Sequence, residues 1–127
     1  MHRYLSIVEH PYRATVEEQG DTALWFTHAL HNAGAGVGVL LRGDAVVYGT
    51  RNQAPPTLRL GTRGGVTAPN IEADLRSLMM NHVTVYLVQD DAFARGIYRE
   101  DFVPGLQHLP RGWLCKLYDS YERILHW

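Results

Sequence analysis

The chain has 127 residues, 46% of them hydrophobic and 20% charged, and 12 Lys+Arg against 13 Asp+Glu leave a formal charge of −1. That length and balance suit one packed domain and supply no long-range field to draw in nucleic acid or an anionic membrane surface. No apolar run approaches the ~20 residues that cross a bilayer, and the single cysteine has no internal disulfide partner. With no signal-like segment before Glu9, the expectation is a soluble protein of a reducing cytoplasm, with neither membrane nor nucleic acid as partner.

Residues 3–8, Arg-Tyr-Leu-Ser-Ile-Val, read as a first strand. A loop over 9–14 follows, because Pro11 breaks regular pairing. The first helix starts between Thr15 and Asp21: Thr15 with Glu18 has capping-box spacing, Gly20 weakens an early start, and Asp21 is the alternative cap. Leu24, Trp25, Ala29 and Leu30 fall at helical spacing and give one apolar face. Ala33-Gly34 ends the helix, since glycine enters the left-handed conformation cheaply. Residues 36–41, Gly-Val-Gly-Val-Leu-Leu, are a second buried strand, and the three elements make a βαβ unit with a right-handed crossover.

Asp44 is expected to cap a short helix after Arg42-Gly43. Residues 49–69, rich in Gly, Pro, Thr and Arg, read as an irregular excursion with a short strand at 57–60. Segments of that kind in small domains serve function or a partner subunit. The spacing predicts a helix over 70–81, capped by Asn70, with Ile71, Leu75, Leu78 and Met79 toward the core. Val83–Val88 is a central strand that breaks into a polar loop, Gln89-Asp90-Asp91, at the end where open α/β sheets place their chemistry. A short helix over 99–108, a last helix from Pro110 to Ser120 and a buried closing strand at 123–127 complete the chain. The alternation predicts an α/β three-layer sandwich in a single domain, around a mostly parallel sheet of four or five strands.

Four stretches, in order, resemble the DsrE/DsrF/DsrH superfamily of small sulfur-relay proteins. They are His10-Pro11-Tyr12 after the first strand, Leu40-Leu41-Arg42-Gly43-Asp44-Ala45-Val46, Val85-Tyr86-Leu87 with Ala94-Arg95-Gly96, and the closing Tyr121-to-Trp127 run. The resemblance covers nearly the whole chain, although each motif alone is weak. It implies an α/β fold, obligate trimers or hexamers built from one chain or from paralogous subunits, and a cysteine that carries persulfide sulfur, in some systems from a sulfurtransferase. This sequence departs from the pattern at the point of chemistry. In sulfur-carrying members the cysteine follows the strand equivalent to 83–88, and here Val88 and Asp91 stand there. The resemblance therefore implies an accessory, non-catalytic subunit of the DsrF/DsrH kind, with no cofactor, rather than an enzyme.

The remaining candidates are weighed on their own chemistry. Cys115, between Leu114 and Leu117, reads as a small buried residue of the last helix; its alternative role is an unconventional persulfide acceptor, sulfurtransferase-like at most. Asp90 or Asp91 caps the turn after the central strand and Arg95 binds loop carbonyls or a carboxylate, or the group lines a small-ligand site. His10, Tyr12, Arg42, Asp44, Gln89, Asp91 and Arg95 form the candidate ligand- or partner-binding set, with His10, Arg42 and Gln89 facing one crevice if the sheet is parallel. A small-ligand or nucleotide-binding module is the third reading, although no phosphate-loop or dinucleotide fingerprint is present. His28 and His31 share a helix face but lack the further ligands a metal needs, so no metal is expected. Arg51, Arg59 and Arg63 suit a solvated loop or a subunit contact, the alternative being a grip on an anionic partner or a tRNA backbone, which the neutral chain and the lack of interleaved aromatics disfavour. The aromatics Trp113, Tyr118, Tyr121 and Trp127 suit core or interface packing.

Overall fold

Five short strands lie side by side and point the same way in a computed structural model of the chain, which describes residues 3–11, 21–53, 57–58, 66–67 and 70–127. They are β1 (Arg3–Val8), β2 (Gly36–Leu41), β5 (Thr84–Val88), β6 (Gln107–Leu109) and β7 (Arg123–His126), in the order β6-β5-β2-β1-β7, every pair parallel. Two-residue strands β3 (Thr57–Leu58) and β4 (Val66–Thr67) pair antiparallel as a separate ribbon. The α/β fold with a parallel sheet between helices agrees with the sequence expectation, and the sheet has five strands.

Alternate side chains of the central strands enter two cores, as the pleat requires. Val39, Leu41, Val85 and Leu87 face the larger one, beneath helices α1 (Thr22–Asn32) and α2 (Ile71–Met80), the 3₁₀ segment Gly43–Gly49 and the short helix α3 (Gln89–Ala94). Leu5, Ile7, Leu40 and Val88 face a smaller one with Leu117 and Tyr121, closed by helix α4 (Leu114–Asp119). Each central strand is thus covered on both faces, which is why β2 and β5 read as continuous apolar runs rather than alternating ones.

Local chemistry sets the helix ends. Asp21 accepts from Leu24 N at 3.1 Å and starts α1, the later of the two starts the sequence allowed. The Thr15–Glu18 box and Tyr12 lie outside the described residues. Asn70 accepts from Ala73 N at 3.0 Å and starts α2. Gly34, at φ +91°, ends α1.

Several expectations are corrected. The buried face of α1 is Ala23, Leu24 and Thr27, while Trp25 is 64% exposed and Ala29 is exposed: the helix presents a neighbouring stripe to the sheet. Asp44 caps nothing. The 3₁₀ segment begins after Arg42, and Asp44 turns outward to Arg95. The polar stretch after β5 is the first turn of α3, not a loop. No helix spans 99–108. Pro104 removes a donor and Gly105 takes φ +101°, so the chain makes a 3₁₀ turn at Arg99–Asp101 and then strand β6. The last helix is two pieces, a 3₁₀ turn at Arg111–Trp113 and α4. The closing strand is not buried: β7 pairs with β1 alone at the sheet edge, and Arg123, Ile124 and His126 are exposed. Its anchor is Trp127, whose indole N–H donates to Ser6 Oγ at 2.9 Å and whose ring lies 5.6 Å from Phe26. Among the described residues no helix is long and apolar enough to cross a membrane.

Candidate functional site

Parallel pairing forces the carboxyl ends of all five strands onto one rim, so Glu9, Arg42, Gln89, Pro110 and Trp127, each just past its strand, share it. The strands' alternation then sorts the side chains. Glu9, Arg42 and His126 continue the Ile7, Leu40 and Ile124 rows and project toward the α4 side, where Tyr118 meets them.

His126 Nε2 lies 2.6 Å from Glu9 Oε2, and because a carboxylate only accepts, the imidazole donates there. Arg42 Nη2 donates to the same oxygen at 3.4 Å, and Arg42 Nη1 donates to Tyr118 Oη at 2.9 Å. The hydrogen bond from His126, followed by the charge of Arg42, holds the Glu9 carboxyl below its ordinary value of 4.5, against the opposing effect of burial. The Nε of Arg42 is buried with no partner among the described residues. Three strands and one helix are fastened together here through a single guanidinium.

A second knot forms around Asp91, which is buried. Gly43 N donates to Asp91 Oδ2 at 2.7 Å, and Arg111 Nη2 donates to Asp91 Oδ1. Arg111 N donates to Asp90 Oδ1 at 2.9 Å. Arg95 binds Asp44 Oδ1 through Nε and Nη2 at 3.1 and 2.8 Å and reaches back to Asp91 O at 3.0 Å. Both oxygens of Asp91 are therefore committed to donors, and Asp90 and Asp91 answer to Arg111 rather than to each other. The geometry does not set up a carboxylate pair sharing a proton, the arrangement that acid–base work by adjacent acids needs.

The sequence candidates fall into three groups. Asp44, Asp91 and Arg95 meet in the second knot, and Arg42 anchors the first on the same rim. Gln89 and His10 are exposed on the same rim, and no hydrogen bond joins either of them to Arg42. Cys115 is not buried as expected; it is exposed on the first turn of α4, because Leu117 and the half-buried Leu114 supply that helix's inner face. The rim also uses Glu9, Arg111 and His126, which the sequence reading did not single out, and Tyr118, which it read as packing alone. The available signal was position: Glu9 follows an apolar strand directly, and His126 sits in the last one.

Among the described residues no group of three or more His, Cys, Asp or Glu is placed to hold a metal ion. The end of β5, where the resemblance calls for sulfur, carries Val88, fully buried, and Asp91 in its ion pair.

Comparison with known proteins adds a fold. No protein-family model matches the chain, and no curated protein does. Solved structures do. The YchN protein of E. coli superimposes with a TM-score of 0.77 at 22% identity, covering all of both chains. MTH1491 of Methanobacterium thermoautotrophicum, titled a protein of unknown function, gives 0.69 at 12% identity over 98% of this chain and 99% of its own. BT1422 of Bacteroides thetaiotaomicron, titled a conserved protein of unknown function, gives 0.67 at 15% over 98% and 94%. At such identities the likeness establishes the architecture of the whole chain and assigns no chemistry.

Proposed function

We propose that this protein is an accessory, non-catalytic subunit of an oligomeric DsrE/DsrF/DsrH-like assembly in cytoplasmic sulfur trafficking. The observation that carries the reading is the state of the rim after β5. Val88 is fully buried and Asp91 is held by Gly43 N and Arg111, so the position where the resembling carriers keep a reactive thiol is occupied by a closed ion-pair network. The parallel sheet and the whole-chain likeness to other small α/β structures agree with it. The expected behaviour is a trimer or hexamer by light scattering that captures a cysteine-bearing paralogue or a sulfurtransferase from the same cell. A monomer that captures neither sinks the proposal.

The exposure of Cys115 favours a second reading, a persulfide acceptor at an unusual place. The Cys115 thiolate attacks the outer sulfur of a donor persulfide, the S–S bond breaks, and the donor leaves as its thiolate. Intact mass after incubation with a persulfide donor separates the two readings. A gain of one sulfur atom that Cys115→Ser abolishes establishes the carrier, and no gain leaves the accessory role.

A further inference from the structure

Beside the ion-paired rim, the turn after α3 shapes a cleft of about 350 Å³, with Gln89 and Asp90 of the rim in its lining. Gly96, at φ +70°, reverses the chain, Ile97 N donates to Ala92 O at 3.0 Å, and Phe93 and Tyr98 come to line one cavity. Phe102 is buried behind them, with its ring 5.3 Å from the His108 imidazole at 70°. Phe93 is 74% exposed and Tyr98 56%. Two large rings left in water beside a cleft that the Phe102 ring also lines are an unusual expense for a small domain, and aromatic side chains with placed polar groups, here Gln89, Asp90, Arg99 and His108, are what small-molecule sites present.

The cleft has one cation in its lining, Arg99, which makes no ion pair among the described residues. A second hollow of about 300 Å³ adjoins it across the shared residues Arg99, Phe102 and His108. Its lining adds Arg51 and Glu100. Backbone bonds hold Arg51 and this segment in place: Arg51 N donates to Asp101 O at 2.9 Å and Asp101 N to Tyr98 O at 2.9 Å. Burial, and then the charge of Arg99, lowers the pKa of His108 from 6.5, so its imidazole is neutral at neutral pH and Arg99 is the charged group the two hollows share. The groove is thus aromatic at one end and carries two guanidinium groups against one carboxylate at the other. Asp90, the acid of the aromatic end, already accepts from Arg111 N.

We propose that this groove binds a small planar ring carrying an anionic group, the ring lying among Phe93, Tyr98 and Phe102 and the anion held by Arg99 and Arg51. The ring gains apolar contact and the anion gains charge-assisted hydrogen bonds, and guanidinium suits phosphate and carboxylate alike. Arg42, Asp91 and Cys115 line neither hollow, so the proposal does not rest on the sulfur-trafficking reading.

Calorimetric titration of the full chain with adenosine 5′-monophosphate and with indole-3-acetate tests it, with adenosine and inorganic phosphate as ring-only and anion-only controls. At least one ring–anion compound is expected to bind, about tenfold or more tighter than either control. Arg99→Ala and Phe93→Ala, both at exposed positions, should each weaken it about tenfold with unchanged urea unfolding. Which compound binds better tells a phosphate head from a carboxylate one. Absence of binding by both compounds overturns the proposal, as does binding unchanged in both variants.

Discussion

Gly38, in the middle of β2, shows how a single missing methyl group fixes the smaller core. A Cβ built there would stand 2.2 Å from Tyr121 Oη and 2.9 Å from Tyr121 Cζ. Tyr121 is buried, its hydroxyl lies 3.3 Å from that of Tyr86, and the Arg3 guanidinium sits 4.6 Å from its ring centre. Burial, and then the hydrogen bond to Tyr86, raises the Tyr121 pKa, so the phenol stays neutral. The ring cannot retreat without uncovering Leu5 and Leu40, which share its cluster. Gly38→Ala is therefore expected to cost about 1–3 kcal/mol through overpacking. Urea denaturation measures the loss, and Tyr121→Phe in the same chain should restore part of it. Equal losses in the single and double variants would show that the clash is not at the hydroxyl. A glycine inside an apolar strand signals a close approach. Its partner, far along the chain, carries no matching mark.

Among the elements, α1 depends most visibly on one side chain. Asp21 is 3% exposed and serves two masters: its Oδ1 accepts from Leu24 N, and its Oδ2 accepts from the hydroxyl of Tyr48 in the 3₁₀ segment. Loss of the cap alone is worth ~1 kcal/mol, and loss of a buried acceptor adds ~1–3 kcal/mol. Asp21→Ala is expected to lower stability by about 2–4 kcal/mol, with Asp21→Asn milder because it keeps the cap. A loss in Asp21→Ala no larger than that of an exposed cap would mean that the Tyr48 contact contributes nothing. The elements legible in the sequence were those with a cap or a long period: Asp21, Asn70, the apolar stripe of α2, and the runs 36–41 and 83–88. Those that escaped were too short to show a period. Gln-Asp-Asp-Ala-Phe-Ala has the polarity of a loop, yet it is helix α3, because Asp91 is drawn in by Gly43 N and Arg111. Gln-His-Leu becomes β6 because β5 offers an unpaired edge, a tertiary cause that three residues cannot announce.

Over the whole molecule, the candidate site was legible to the extent that chain direction was. Parallel strands place Arg42 and Asp91 at one rim, and the apolar runs predicted that much. The bonds that complete the site come from Arg111, Tyr118 and His126, whose placement depends on where α4 and β7 dock. The Glu9 carboxylate tests how far that rim holds the edge strand. Its folded pKa lies below 4.5, so its contribution is complete above 4.5 and fades as pH falls through the lower folded value. The stability difference between the protein and Glu9→Gln, measured by urea denaturation, should therefore be constant near neutrality and shrink below pH 4.5. A difference unchanged to the acid limit would mean that the carboxylate's charge is irrelevant to β7.

The same docking decides where a fused handle ought to go. Trp127 N donates to Ile7 O at 2.9 Å and Trp127 O accepts from Glu9 N at 3.1 Å, while Arg3 begins its strand at the opposite end. A purification tag appended after Trp127 would emerge beside Glu9 and Arg42 and crowd whatever approaches them. One placed ahead of Arg3 would start from the far pole, so capture experiments on this protein are best run with the label there.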